Sequence, residues 1–216
     1  MVYHDISQEQ LLLLITQAVQ AELQKRSRQV PVGISVRHIH LTRDDVDKLF
    51  GYGYQLTPKK ALSQPGQFAC EEKVDVVGPK NTIRNVSVLG PERKAAQVEV
   101  SLTDARTLGI AAPVRESGDI ADTPGVKLVG PAGELTLAQG VIAAKRHIHL
   151  TPDEAAAFGL ADKEIVTVRL DTARPLIFDD VVVRVRSDFA AAMHIDTDES
   201  NAACAFGEVY GEIRKK

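Results

Sequence analysis

The sequence predicts a mainly β protein built from two related β-barrel or sandwich units, with an amphipathic helix at its N-terminal end. Three observations carry this. Beyond Gln29 the chain breaks into short runs rich in Val and Ile, residue types that fit a pleated, half-buried surface. Gly78-Pro79, Gly90-Pro91 and Gly130-Pro131 separate those runs as turns. The hexapeptide Arg-His-Ile-His-Leu-Thr occurs twice, at Arg37 to Thr42 and at Arg146 to Thr151, 147 − 38 = 109 positions apart. Such self-similarity marks an internal duplication, and many short strands with few helices favour barrels or sandwiches.

The elements follow in order. Residues 7–27 contain no Gly or Pro and are rich in Leu, Gln, Glu, Ala and Lys, so they read as a helix capped by Ser7. Leu11, Leu12, Ile15, Val19 and Leu23, flanked by Leu14 and Ala18, trace its apolar face. That face would either pack on the body of the protein or dock elsewhere. Lys25 to Gln29 read as a linker, which sets residues 1–28 apart as an extension. Strands are expected at Val30 to Val36, Lys73 to Val77, Thr82 to Leu89, Ala96 to Leu102, Val126 to Val129, Ile165 to Leu170 and Val181 to Val185. A short helix should follow each histidine motif, capped by Thr42 or Thr151, with Asp44, Asp45, Asp153 and Glu154 in the electropositive first turns.

Composition narrows the function. The chain has 216 residues, 44% hydrophobic and 25% charged, enough for a sizeable core. A net charge of −3 and only 5% aromatic residues argue against nucleic acid as a partner. The longest strongly apolar run, Leu11 to Ile15, is far too short for a membrane span. The two cysteines, Cys70 and Cys204, form no Cys-x-x-Cys pair, and no secretory leader is visible, so a reduced cytoplasmic setting is expected.

The doubled motif carries the chemistry. Strand residues two apart point to the same face, so His38 and His40 share one side, as do His147 and His149. On a helix the same spacing diverges by about 200° and chelates poorly. Each pair therefore belongs at a strand end just before a threonine-capped helix. His194, followed by Asp196, Asp198 and Glu199, adds a third potential donor group. Five of the six histidines fall in these motifs, with His4 left in the N-terminal tail. Five exceed the three protein ligands of one catalytic zinc, so either two metals bind or some histidines act behind the ligands. Glu99 could supply a further ligand, although taken alone it reads as a solvent-facing strand residue.

Together these segments resemble the PduL family of phosphate acyltransferases, also called phosphate propanoyltransferases. The resemblance runs from Val32 to Gly207. It is carried by Val32 to Thr42, Val88 to Arg93, Gln97 to Ser101, Pro113 to Asp119, Ala144 to Pro152 and Met193 to Glu199. It implies two β-barrels that exchange an element, so that 29–36 with 145–214 form one and 37–144 the other, and it implies a homodimer or larger oligomer. It implies two zinc ions: His38, His40 and Glu99 would hold the one that meets the coenzyme A sulfur, and His147, His149 and His194 the other. Arg93 matches the arginine that holds phosphate. Ser35, Lys60, Leu89, His194 and Asn201 match coenzyme A contacts, whereas Ser87 stands where members often carry an arginine. Some members also dock inside a bacterial microcompartment through an N-terminal amphipathic peptide.

The reaction so implied is acyl-CoA, with a propanoyl or acetyl group, plus phosphate giving acyl phosphate plus coenzyme A. Phosphate can attack the thioester directly, which leaves Cys70 and Cys204 as bystanders. Two other readings stay open on the residues alone: a hydrolase using metal-bound hydroxide, and a barrel whose metals only stabilise the fold.

Overall fold

The structure, a computed structural model, describes residues 7–26 and 28–216. His4 and Ser27 lie outside them. The first half runs α1 (Gln8–Arg26), β1 (Gln29–Ser35), β2 (His38–His40), α2 (Arg43–Phe50), β3 (Pro58–Ala61), β4 (Phe68–Val77), β5 (Thr82–Gly90), β6 (Gln97–Glu99), α3 (Leu102–Leu108), β7 (Val114–Arg115), β8 (Val126–Val129), β9 (Glu134–Leu137) and β10 (Val141–Ala144). The second runs β11 (His147–Leu150), α4 (Pro152–Phe158), β12 (Ile165–Leu170), β13 (Leu176–Val185), β14 (Ala192–Asp196), α5 (Thr197–Ala203) and β15 (Tyr210–Lys215).

Six strands close a barrel in the order β1-β14-β11-β13-β12-β15, and the other strands form a curled sheet in the order β7-β10-β6-β2-β5-β4-β8-β9, with β3 paired to β4. Each body has its own core. Val30, Ile148, Val166, Val168, Met193 and Ile195 fill the barrel, while Ile39, Val74, Val88, Val98 and Leu128 fill the curled sheet. Alternation explains how one strand serves both core and site: Ile39 and Ile148 point into the cores and are fully buried, so the histidines beside them face the other way.

The expected exchange is present. β1 belongs to the barrel, running parallel to β14 with Gly33 opposite His194, yet it leads directly into β2 of the curled sheet. Conversely β10 runs parallel to β6 with Ile142 opposite Glu99 and leads into β11 of the barrel. Gly33 and Ile142 are 109 positions apart, the offset of the histidine motifs. A Cβ at Gly33 would lie 3.3 Å from His194 Cδ2, so glycine leaves that imidazole room.

Both threonine caps form as the sequence predicts. Thr42 and Thr151 accept from the backbone N–H of Asp45 and Glu154, whose carboxylates accept the threonine N–H in return, a reciprocal capping box. The same device occurs twice more, with Ser101 and Asp104 before α3 and with Asp196 and Glu199 before α5. The run Ala96 to Leu102 is accordingly no single strand: Ser101 ends the extended segment and starts a helix. Asp196, Asp198 and Glu199 are a cap and its first turn, where carboxylates meet free N–H groups, and none of them joins a donor cluster.

α1 forms, with Ser7 Oγ accepting from Gln10 N at 3.2 Å. Leu11 to Ile15 and Val19 are each half exposed or more, and Leu13 lies about 200° around the helix from Leu11. The described side chains of α1 therefore add nothing to either core. Ile148→Ala should cost about 2–5 kcal/mol in urea unfolding, whereas removing residues 1–26 should leave the midpoint unchanged.

Candidate metal and substrate site

Two donor clusters form at the strand ends. His38 and His40 come from β2 and Glu99 from β6, whose antiparallel pairing puts His38 opposite Glu99. His147 and His149 come from β11 and His194 from β14, with His147 opposite His194. In each set one nitrogen or oxygen per residue lies within 4.8 Å of the others, a spacing that one cation can bridge.

The donors are prepared for a cation. His38 Nδ1 and His147 Nδ1 are each tied to the carbonyl two residues back, Val36 O and Lys145 O, at 2.8 Å, which turns both Nε2 atoms inward. Among the described residues only four buried side-chain polar atoms lack a hydrogen-bond partner, and three are Nδ1 of His40, His149 and His194. Buried polar atoms are rarely left unmatched. Three orphans on two donor sets fit divalent metal, and zinc in particular suits imidazole and carboxylate.

Electrostatics agree. Burial first, then neighbouring imidazoles, push His149 down to about 2 and His194 down to about 3. Burial likewise lowers His147, and burial with His38 and Arg93 lowers His40. All four are thus neutral near pH 7, the form that binds metal. His38 differs: burial opposes its charge, but Glu99 outweighs burial and raises it. Burial also works against ionised Glu99, yet the His38 pair holds it far below the carboxylate range.

Glu99 is buried, against the solvent-facing reading of the isolated residue. Its Oε1 accepts from Gln97 Nε2 at 2.5 Å and Ser117 Oγ at 2.9 Å, and Oε2 lies 3.5 Å from His38 Nε2. One oxygen is anchored and the other is presented. Ser117 Oγ also accepts from Arg93 Nη1 at 3.3 Å, joining the arginine to the carboxylate through one hydroxyl.

Both sets open on one cavity of about 710 Å³ lined by residues of both bodies. Six cations line it (Arg37, Lys60, Arg93, Lys145, Arg184 and Arg186); Arg37, Lys145 and Arg186 are ion-paired with Asp104, Asp180 and Asp188, and Lys60, Arg93 and Arg184 favour an anionic ligand. Ser35, Lys60, Leu89 and Arg93 all line it. Asn201 stands apart, exposed on α5 and outside the lining. Ser87 lines the cavity beside His38, and its hydroxyl accepts from Lys73 Nζ at 2.5 Å.

Sequence reasoning missed Gln97, Ser117 and Arg184. Arg184 lies opposite His149 on β13, and its charge lowers all three imidazoles of the second set. An arginine inside Val181 to Val185 is the signal that marks it. The loop before β4 was missed as well: Gln64 exchanges hydrogen bonds with the Ala190 backbone, and Ser63 Oγ lies 3.1 Å from His194 Nε2. The cavity is thereby bridged from one body to the other.

A two-barrel enzyme for an anionic substrate, with a donor set from each half, is the class that this fold and site define. Comparison with known proteins makes it specific. The family model described as phosphate propanoyltransferase matches residues 31–206. A phosphate propanoyltransferase of Thermotoga maritima is 55% identical over 183 residues, covering 84% of this chain and 87% of that protein. One of Listeria monocytogenes is 55% identical over 188 residues, covering 87% and 88%, and one of Enterococcus faecalis is 52% identical over 189, covering 88% and 90%. The chain belongs to the phosphate propanoyltransferase family, and so to the acyltransferases.

Neither cysteine joins a donor set. Cys70 is buried in the core of the curled sheet, and burial pushes its thiol up to about 11. At pH 8 its alkylation by iodoacetamide in the folded protein should be at least ~100-fold slower than that of a free thiol, as measured by mass spectrometry.

Proposed function

We propose that the chain is a zinc-dependent phosphate acyltransferase that interconverts a short-chain acyl-CoA and phosphate with an acyl phosphate and coenzyme A. The paired donor sets, which together hold three unmatched imidazole nitrogens and line one cavity, support this reading. His38, His40 and Glu99 would hold one zinc; His147, His149 and His194 would hold the other. Zinc bound there would make the coenzyme A thiolate a better leaving group and polarise the thioester carbonyl.

The chain's own residues supply the rest. Arg93 can grip two phosphate oxygens, which fixes the direction of attack in a way a lysine cannot. Ser117 holds the Arg93 guanidinium and the Glu99 carboxylate in register. Arg184, beside the second set, offsets the charge of a dianionic nucleophile. Phosphate held against the carbonyl attacks it directly, the C–S bond breaks, and the sulfur leaves as thiolate. Cys70, in the core, supports a route with no acyl-enzyme. Ser35, Lys60 and Leu89 would line the path for coenzyme A, whereas Asn201, exposed outside that cavity, would meet coenzyme A only beyond it.

Beyond the site, we read residues 29–36 with 145–214 as one unit, 37–144 as the other, and 1–28 as an extension. The exposed leucines of α1 suit a docking role, such as packing an oligomer of this chain inside a microcompartment, and no described helix is long and apolar enough to cross a membrane. The relatives' name, phosphate propanoyltransferase, supports propanoyl as the acyl group, with acetyl as the alternative.

Kinetics over an acyl-CoA series, with and without phosphate on metal-quantified protein, test the reading. Thiol release should require phosphate. Release at the same rate without it would make the enzyme a hydrolase. Chelation should abolish turnover and zinc restore it. Arg93→Ala should lower kcat/KM for phosphate about 100-fold or more, and Arg93→Lys should recover little. Cys70→Ala with Cys204→Ala should retain turnover; collapse would point to a covalent route.

A further inference from the structure

The leading arginine of each hexapeptide belongs to neither donor set. We propose that Arg37 and Arg146 are positioning residues, each bracing the two-histidine strand of one set against the helix that follows the third donor of the same set. This rests on the zinc-binding reading above.

The contacts repeat at matching positions. Arg37, just before His38, donates through Nη1 to Asp104 Oδ1. Asp104 stands five residues after Glu99, and its other oxygen accepts from Ser101 N at 3.5 Å. Arg146, just before His147, has Nε 3.0 Å from Glu199 Oε1. Glu199 stands five residues after His194, and its other oxygen accepts from Asp196 N at 3.0 Å. In each half, then, one carboxylate ends the third-donor strand with one oxygen and receives the motif arginine with the other.

The fold contains its own control. Asp45 and Glu154, behind the two-histidine strands, make the same capping boxes with Thr42 and Thr151. Among the described residues neither is paired with an arginine. A capping box therefore needs no arginine, and one is added only where the helix follows the strand carrying a single donor. The need is mechanical. Glu99 meets its partner histidines across three paired residues of β2 and β6, and His194 across three of β11 and β14. An ion pair behind the ladder is a second fastening, from the start of the two-histidine strand to the helix that follows the third donor. Its carboxylates are largely shielded, with Asp104 and Glu199 side chains 11% and 20% exposed. Groups that orient ligands from behind typically govern metal affinity by about 10–100-fold.

Cobalt(II) alone, read by its visible absorption and by chelator competition, tests this in two backgrounds: His147→Ala, which leaves the first set, and His38→Ala, which leaves the second. Arg37→Gln should weaken cobalt about 10–100-fold and alter its spectrum in the first background, and stay within about twofold in the second. Arg146→Gln should do the reverse. Asp104→Asn should match Arg37→Gln, and the double variant should lose no more than either. Unchanged affinity, equal weakening of both sets, or additive losses would overturn the brace. If Arg37→Gln does not fold, Arg37→Lys should give the same site-selective loss at smaller size, and parental affinity would overturn the brace. Parent protein that takes up no cobalt in either background would sink the zinc reading along with it.

Discussion

The site depends on the register of two antiparallel strand pairs. His38 faces Glu99 and His147 faces His194 because β2 lies on β6 and β11 on β14 at one offset. A one-residue slip would turn the donors to the core and Ile39 or Ile148 to the cavity. The buried isoleucines resist that slip, since exposing either forfeits roughly 1.5–3 kcal/mol of burial. The capping boxes oppose it too, because each strand ends at a fixed hydroxyl or carboxylate two residues past its last donor. The geometry of the donor sets is thus written in core packing and helix capping together.

The two copies share this scaffold and differ in charge. Opposite the second histidine stands Gln97 in one set and Ala192 in the other. The glutamine locks the Glu99 carboxylate and is itself held by Gly118 N at 2.8 Å. Where alanine leaves space, Phe189 packs against His149 with ring centroids 4.1 Å apart, below the Arg184 and Arg186 guanidiniums. One set carries a carboxylate held by an amide and a hydroxyl; the other is all imidazole, walled by an aromatic ring and bordered by Arg184 and Arg186. A duplicated frame thereby offers unlike electrostatic surroundings at its two donor sets.

Much of this was legible in the chain. The repeat located four of the six donors, alternation put them on one face, and Thr42 and Thr151 marked where each strand stops. Glu99 was legible on its own only as a possible further ligand and became a firm one through the family resemblance, because its anchoring by Ser117, eighteen residues on, has no local signal. α3 and α5 were missed although Ser101 and Asp196 precede an acid at the third helical position, the same signal read correctly after the histidines. Strands such as β10, rich in alanine, and β15, rich in charge, owe their form to neighbours rather than to propensity. Gln64 reaches across the cavity to Ala190, a contact between distant residues that leaves no periodic trace, whereas Arg184 is marked only by its charge inside a Val-rich run.

The exchange of β1 and β10 bears on ancestry and on engineering. A single repeat with this topology would have its opening strand extended away from its own body, with an empty slot beside the strand carrying its lone third donor. Two separate copies could satisfy each other by trading those strands, the way domain-swapped pairs do. The present chain is that mutual embrace joined into one polypeptide. Cutting it between the halves would yield two fragments that mature only as a couple, and neither site could be inherited, lost or redesigned without the partner strand that the other half lends it.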